Sequence, residues 1–306
     1  MIEKVIYSVV ALIILAFLPP LLDGISRKIK AILQERQGPS VFQTYSDLSS
    51  LLSMESNMPT DRLGFVIAPY VAFAAALTAG LVLPFGDFVP IVFTGDIFVF
   101  LYVLAISSIA FMMAGFLVEN TYANAGANRE MMIILSIEPV LGIALGVFAL
   151  HTGSLSISGI ATSLSLAPSV LLGMALFAYA VYTECAFIPF DVAEAETEII
   201  EGPLAEYSGR LLGIFKWAML VKRVVLIWLF SAVLLFPTLG RVIDFTTPLG
   251  SAVMLLAQLF MLVVFYAMSA VIEATTGRMK IIQVIRQNTL VFAVGIVVLA
   301  IASMGW

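Results

Sequence analysis

The stretch "VLLGMALFAYAVYTECAFIPFDVAEAETEIIEGPLAEYSGR", Val170 to Arg210, joins two segments of opposite chemistry. The first segment, up to Ile188, is apolar and has the length that a helix needs to cross a bilayer, roughly 20 residues. The second segment begins at Pro189 and contains six carboxylates, with no basic residue before Arg210. A membrane helix followed directly by an acidic loop is therefore the first prediction, and the rest of the chain can be tested for the same pattern.

The composition of the chain is typical of a membrane protein with several spans. Hydrophobic residues make up 61% and charged residues 11%, whereas about a quarter of the residues in soluble domains are charged. The net charge of −5 and the lack of a basic stripe disfavour nucleic-acid binding. One cysteine and one histidine are too few for a typical metal or cluster site, so we expect no cofactor in this chain.

Apolar runs of sufficient length predict eight membrane helices. Their expected ranges are 2–23, 63–84, 96–118, 131–150, 168–188, 212–236, 249–272 and 287–305. No soluble domain fits between them, so residues 1–306 are expected to form a single all-α polytopic membrane domain. The N-terminal run lacks a cleavage pattern of small residues and is expected to remain as the first span.

The distribution of lysine and arginine predicts the orientation. Ten of them lie in four loops on one side, which are residues 24–62, 119–130, 189–211 and 273–286, whereas the opposite side has only Lys4 and Arg241. We therefore expect a multi-pass protein of the cell membrane with both termini outside. Loop 24–62, with an amphipathic helix, and the acidic loop 189–211 would then face the cytoplasm.

The spacing of the acidic residues suggests a common face if residues 190–201 are helical. Steps of three, four and three residues would align four carboxylates: Asp191, Glu194, Glu198 and Glu201. Like charges so close together raise the pKa of carboxyl groups, which favours bound protons near neutral pH. Two interpretations remain open, an acidic surface that docks a basic partner and a proton-loading site.

Other charged residues interrupt the predicted spans. Glu138 precedes Pro139 in the fourth span, and Glu184 ends the fifth. The first half of the sixth contains three cations, Lys216, Lys222 and Arg223, of which the first and last share a helical face. Charges in hydrocarbon are costly and mark ion pathways. By contrast, Asp87, Asp96 and Asp244 fall in predicted outer loops and are expected to be solvated.

The segment from Pro189 to Arg210 closely resembles the signature of the NuoH-type family of complex I membrane subunits, PFD-x-x-EAE-x-E-x-x-x-G followed by EYSG. "RQGPS", Arg36 to Ser40, resembles the first cytoplasmic loop of that family. "GANREM", Gly126 to Met131, the Glu138-Pro139 pair and "EGPLAEYSG" are similar to the branch of membrane-bound hydrogenases and sulfane-sulfur reductases.

This resemblance implies a non-catalytic membrane subunit of an oxidoreductase complex, with part of its helices like half of an antiporter. Hydrogenase-like and iron–sulfur subunits would cover its cytoplasmic face and hold the iron–sulfur clusters and a [NiFe] or derived centre. Antiporter-like subunits would lie beside it in the lipid bilayer. The chain would couple hydrogen evolution or sulfane-sulfur reduction to H⁺ or Na⁺ translocation.

The resemblance also implies roles for individual residues. The positions that match the family's coupling residues are Arg129, Glu138, Glu184, Asp191, Glu194, Glu196, Glu198 and Glu206. We hypothesise that the acidic loop, including Glu201, loads an ion path that continues past Glu184 toward Glu138 and the three cations of the sixth span.

Departures from the family pattern disfavour a quinone site. In "DLSSLLSME", Asp47 to Glu55, Ser50 and Met54 replace two lysines, and Phe187 stands where quinone-type members have arginine. A quinone-reducing NuoH-type subunit, a stand-alone transporter and a purely structural anchor remain the alternatives. A transporter would more often show inverted repeats, and an anchor would not need charges inside the bilayer.

Overall fold

The structure, a computed structural model, describes residues 2–240 and 247–305, except the side chains of residues 2–4, 196 and 248. Eleven α-helices occur in these ranges: α1 Ile2–Leu33, α2 Gln43–Ser53, α3 Leu63–Gly80, α4 Asp96–Phe116, α5 Thr121–Thr152, α6 Ile157–Ser163, α7 Pro168–Glu184, α8 Glu196–Ile199, α9 Gly209–Leu239, α10 Pro248–Thr275 and α11 Ile281–Ser303. A 3-10 helix, Gly202–Glu206, precedes α9. The all-α prediction is confirmed.

Seven of the described helices are long and apolar enough to cross a membrane: α1, α3, α4, α5, α9, α10 and α11. Each corresponds to a predicted span. The remaining prediction, residues 168–188, corresponds to α7, which has 17 residues and lies at the lower end of the spanning range. Because α7 packs against α5, α9 and α11, it belongs to the bundle.

Helices α1 and α5 extend furthest beyond the predicted spans, at the end of the bundle that the charge rule assigns to the cytoplasm. Helix α1 continues to Leu33, so the first loop begins at Gln34 and not at residue 24. Helix α5 starts at Thr121 and not at residue 131. Hydropathy detects only the hydrocarbon-facing part of a helix, whereas backbone hydrogen bonds continue through its polar ends.

The predicted cytoplasmic loops lie together on one face. The Asn57 amide donates to Ser208 Oγ at 2.8 Å, which joins the first loop to the acidic loop. The Met279 amide donates to the Pro189 carbonyl at 3.0 Å, which joins the last loop to the same segment. The charge rule therefore grouped these loops correctly.

One outer-face prediction is wrong. Asp96 is fully buried at the start of α4, where it accepts hydrogen bonds from Ser156 Oγ at 2.9 Å and the Ile157 amide at 2.7 Å. Its carboxylate satisfies the orphan donors at the beginning of α6, which hydropathy cannot reveal. Asp87 is exposed as expected, and Asp244 lies outside the described residues.

Helix α9 forms the centre of the bundle. It contacts α1, α3, α7 and α10, among others, and the stretch from Val224 to Leu229 is fully buried. Trp228 Nε1 donates to the Pro84 carbonyl at 2.9 Å and anchors α9 to the outer loop. This central position carries Lys222 and Arg223 into the interior, whereas Lys216 stays partly exposed.

Candidate functional site

The acidic loop is not the single helix that the spacing suggested. Only Glu196–Ile199 is α-helical, and Ile200 and Glu201 have positive φ angles of 50° and 59°. Apolar residues between the acids are buried, including Val192 and Ala195. An irregular backbone buries them, so the prediction of one helical acidic face is wrong, although Asp191, Glu194 and Glu201 still line a common cavity.

Partners from different elements hold four of the acids. Their contacts are Asp191–Arg278 at 2.8 Å, Glu198–Arg129 at 2.6 Å, Glu201–Lys216 at 3.8 Å and a hydrogen bond from Asn120 to Glu206. Glu206 ends the 3-10 helix and does not open α9. Glu196 begins α8, but its side chain lies outside the described part of the structure. These contacts hold the loop against α5, α9 and the segment between α10 and α11.

A cavity of about 540 Å³, here called the cytoplasmic cavity, lies beneath the acidic loop, between α1, α2 and α9. Its charged lining residues are Asp23, Arg27, Asp47, Asp191, Glu194, Glu201, Lys216 and Arg223. Lys216 and Arg223 therefore share a face, as predicted from their spacing. Such a charged lining fits water and ions better than an apolar ligand.

A second cavity, the middle cavity, lies deeper and measures about 40 Å³, which suffices for a few water molecules. Its polar lining residues are Ser107, Ser108, Glu130, Glu184, Glu194, Lys222 and Arg223. Because Glu194 and Arg223 also line the cytoplasmic cavity, these two side chains separate the two spaces.

Two cations of α9, Lys222 and Arg223, are held inside the bundle. Lys222 Nζ lies 2.7 Å from the Glu184 carboxylate, with the two side chains only 11% and 5% exposed, and it donates to Ser108 Oγ at 2.5 Å. Arg223 Nε donates to the Cys185 carbonyl at 2.8 Å. Lys222 therefore forms an internal ion pair instead of reaching the membrane surface.

Phe187 also contacts Arg223. Its ring centroid lies 5.3 Å from the guanidinium carbon, within the range of a cation–π interaction. At this position, where the resemblance implies an arginine in quinone-type members, the chain instead places an aromatic ring against a cation. The local chemistry thus differs from a site that would hold a polar headgroup.

The third cavity, the lateral cleft, measures about 180 Å³ and lies between α4 and α5. Its lining includes Phe98, Tyr102, Glu138 and Glu184. Because Glu184 also lines the middle cavity, shared side chains connect all three spaces. The structure thus brings the predicted acids Glu194, Glu184 and Glu138 into one row.

Sequence analysis missed Glu130. This carboxylate lines the middle cavity and, among the described residues, has no hydrogen bond or ion pair. Hydropathy placed it outside the fourth span, although α5 already includes it. Asn120 caps the start of α5, and asparagine is a common N-cap residue. If the predicted helix had been extended from Glu138 back to this capping residue, it would have included Glu130.

Glu194 lies outside the membrane helices, between the cytoplasmic and middle cavities. Burial, and next the negative charge of Asp191, raise the pKa of its carboxyl group to about 8. A group that titrates near neutral pH can take up and release protons. No set of three or more histidine, cysteine or acidic residues in the described ranges could hold a metal ion.

The helical fold and its charged interior define a polytopic membrane subunit. The sequence profile of the NADH dehydrogenase family matches residues 5–304. The chain belongs to this family.

Two relatives from Escherichia coli strain K12 match nearly the whole chain. Hydrogenase-4 component C is 34% identical, covering 90% of this chain and 88% of the relative. Formate hydrogenlyase subunit 4 is 34% identical, covering 91% and 92%. The NuoH-type subunit of NADH-quinone oxidoreductase from Thermomicrobium roseum is 36% identical, but the match covers 60% of this chain and 63% of the relative.

A chain in the structure of the membrane-bound sulfane sulfur reductase, an archaeal respiratory membrane complex, has the same fold. Its TM-score is 0.81 at 22% sequence identity, covering 99% of both chains. The shared fold agrees with the sequence relatives, and the family match makes the chain a complex I-like membrane subunit with hydrogenase-type relatives.

Proposed function

We propose that this chain conducts ions for a respiratory complex and couples their movement to electron transfer in peripheral subunits. The electron-transfer reaction is hydrogen evolution or sulfane-sulfur reduction, and the ion is H⁺ or Na⁺. Iron–sulfur clusters, with a [NiFe] or derived centre, belong to the peripheral subunits on the cytoplasmic face. Antiporter-like subunits continue the path within the cell membrane.

The observation that carries this proposal is the row of three cavities joined by shared charged side chains. Glu194, Glu130 and Glu138 line successive cavities, and none has an ion pair or hydrogen bond within residues 2–240 and 247–305. Ionisable groups in a membrane interior are costly unless they serve transport or pairing. An unpaired carboxylate in each cavity is suited to passing an ion from one space to the next.

The coupling step acts on the acidic loop. A redox change in a subunit above the loop alters the electric field at the loop or the shape of the loop. Either change alters the pKa values of the carboxyl groups in the loop. A change of one pKa unit corresponds to about 1.4 kcal/mol. The ion pairs to Arg129 and Arg278 connect the loop to α5 and to the start of α11, so a movement of the loop reaches the membrane helices.

The charged lining disfavours the alternative of a quinone-reducing subunit. Five acids and three bases surround the cytoplasmic cavity, and an apolar quinone ring would have to displace their water or ions. Ligand pockets for such molecules are mainly apolar, with few polar groups. The cavity is therefore assigned to water and ions.

Glu138→Gln tests the proposed path because it removes the titratable group and keeps the size of the side chain. In the assembled complex in sealed vesicles, electron transfer should continue while the ion gradient formed per electron falls. Glu198→Gln and Glu130→Gln should act in the same direction. Glu119→Gln, at a loop position whose side chain is 94% exposed, is the matched control and should leave the gradient unchanged.

Unchanged ion transport per electron in Glu138→Gln, Glu130→Gln and Glu198→Gln, with assembly verified, would contradict the path. The acidic loop would then have the role of a docking surface for a basic partner.

A further inference from the structure

The lateral cleft opens toward the bilayer. Tyr102, on its outer rim, is 74% exposed, and Phe98 is also exposed. Glu138 lines the cleft near the middle of the 32-residue helix α5. The cleft therefore places a carboxyl group at mid-membrane depth, on a surface that this chain leaves uncovered.

The charges around the cleft do not balance. Two carboxylates line it, Glu138 and Glu184, and of these Glu184 is bound to Lys222. In the part of the chain that the structure describes, Glu138 has no hydrogen bond or ion pair. Intramembrane charges pair with one another or face water, so an ionised Glu138 requires a positive charge or strong donor from outside the described residues.

Lipid and a second copy of the chain fit this cleft poorly. Acyl chains have no donor for a carboxylate, and lipid headgroups lie at the interface, far from the middle of α5. A second copy offers no suitable cation, because the described cations deepest in the helices, Lys222 and Arg223, are held inside the bundle.

We propose that a transmembrane helix of another subunit fills the lateral cleft and presents a basic side chain to Glu138. This inference rests on the proposed function only in that it assumes assembly with further membrane subunits. The partner helix packs against Tyr102 and Phe98 of α4, whose aromatic rings provide the apolar area of the contact. Its lysine or arginine supplies the missing charge, which makes the cleft selective for one partner helix.

Photo-cross-linking in the intact complex tests this inference. The photoreactive residue p-benzoylphenylalanine replaces Tyr102 in one variant and Phe98 in a second. Leu290, exposed on α11, is the matched control position. We expect the Tyr102 and Phe98 probes to capture the same helix of another subunit, with a lysine or arginine within about one helical turn of the attachment point. The Leu290 probe should not capture that helix.

Attachment to lipid alone, to a helix without a basic residue, or to the same helix from Leu290 would overturn the inference. A charge swap adds a second test. Glu138→Lys should reduce recovery of the partner subunit at least several-fold, and reversal of the partner's basic residue to glutamate should restore it. Failure of this restoration would also contradict the inference.

Cross-linking does not depend on ion transport. Capture of a basic helix together with unchanged transport in Glu138→Gln would therefore support the docking surface and contradict the ion path. The opposite pair of results would support the path and contradict the docking surface.

Discussion

The pair of Lys222 and Glu184 is buried more deeply than the other described ion pairs. Both side chains also face the middle cavity, so the pair links α7 to α9 at the centre of the proposed path. Removal of one partner from a buried ion pair leaves an uncompensated charge, whereas replacement of both partners costs much less.

Lys222→Met should therefore lower the free energy of unfolding by about 3–5 kcal/mol. The double variant with Glu184→Gln should recover most of that loss. Lys216→Met, which removes a longer and partly exposed contact to Glu201, should cost less than about 1 kcal/mol. Denaturant unfolding of the subunit in detergent measures these differences, and an equal loss in the single and double variants would contradict the prediction.

Glu194 should make the protein sensitive to pH near 8. The pKa of its carboxyl group is raised from 4.5 to about 8 by burial, so the native state favours the protonated form. Stability is then lost as the pH rises above 4.5 and through 8, because ionisation of the buried group is costlier than ionisation in the unfolded chain.

Glu194→Gln removes this titration. Above pH 8, the variant should gain stability relative to the original chain, whereas the difference should be smaller at acidic pH. In the original chain, the infrared band of the protonated Glu194 carboxyl group should decrease as the pH rises through about 8. In Glu194→Gln this decrease should be absent, because the amide does not titrate in this pH range. A carboxyl band that disappears already near pH 4.5 would contradict the prediction.

At the scale of elements, α2 lies across the cytoplasmic end of α1. Thr44 Oγ1 donates to Asp23 at 2.8 Å, and Arg27 bonds Asp47 at 2.9 Å. The backbones approach closely, since a Cβ at Gly24 would lie 1.9 Å from the Val41 carbonyl oxygen. Glycine at this position therefore permits α2 to form one wall of the cytoplasmic cavity.

Gly24→Ala should displace α2 and destabilise the protein by about 1–3 kcal/mol or more, because the clash involves the backbone. Gly142→Ala is the matched control, since a Cβ at this helical glycine meets no atom within 4 Å. It should be neutral or stabilise α5 by up to about 1 kcal/mol. Thermal unfolding and proteolysis of loop 34–42 compare the two variants, and equal behaviour would exclude the close contact as the cause.

At the scale of the whole molecule, the two ends of the bundle differ in charge. One end collects the predicted basic loops and the acidic loop, and the described segment at the opposite end, between α5 and α7, contains no lysine or arginine. The positive-inside rule assigns such a basic end to the cytoplasm, where the peripheral subunits would cover it.

Single-cysteine labelling tests this orientation. Ser53→Cys, at the end of α2, should react with a membrane-impermeant reagent only after the cells are opened. Ser303→Cys, at the end of α11, should react from outside. Both serines are exposed, and the native Cys185 is buried, so background labelling should be low. Labelling of Ser53→Cys in intact cells would reverse the topology.

Much of the architecture could be predicted because it depends on local composition. Apolar length located the seven long apolar helices of the described residues, and the short α7 was identified by the same criterion. The ends of α1 and α5 were missed since polar residues continue these helices beyond the hydrocarbon. Asp96 was misplaced because its burial results from α6, a neighbour that its own sequence context does not indicate.

The candidate site was predicted in part. Spacing correctly placed Lys216 and Arg223 on one face of α9, but the assumption of a helix gave the acidic loop the wrong geometry. Glu130 was missed because its relevance lies in a cavity formed by α4, α5, α7 and α9. Periodicity describes one helix at a time and cannot report such a space.

The sequence by itself determined the membrane class, the positions of the long apolar helices, the charge asymmetry and the acids available to a path, since each depends on residue type and spacing along the chain. Only the tertiary structure decided that Lys222 pairs with Glu184, that the acids of the loop pair with different elements, and that Glu194, Glu130 and Glu138 line connected cavities. The physical reason is that desolvation and ion pairing depend on distances between helices, which are set by the packing of the whole bundle around α9.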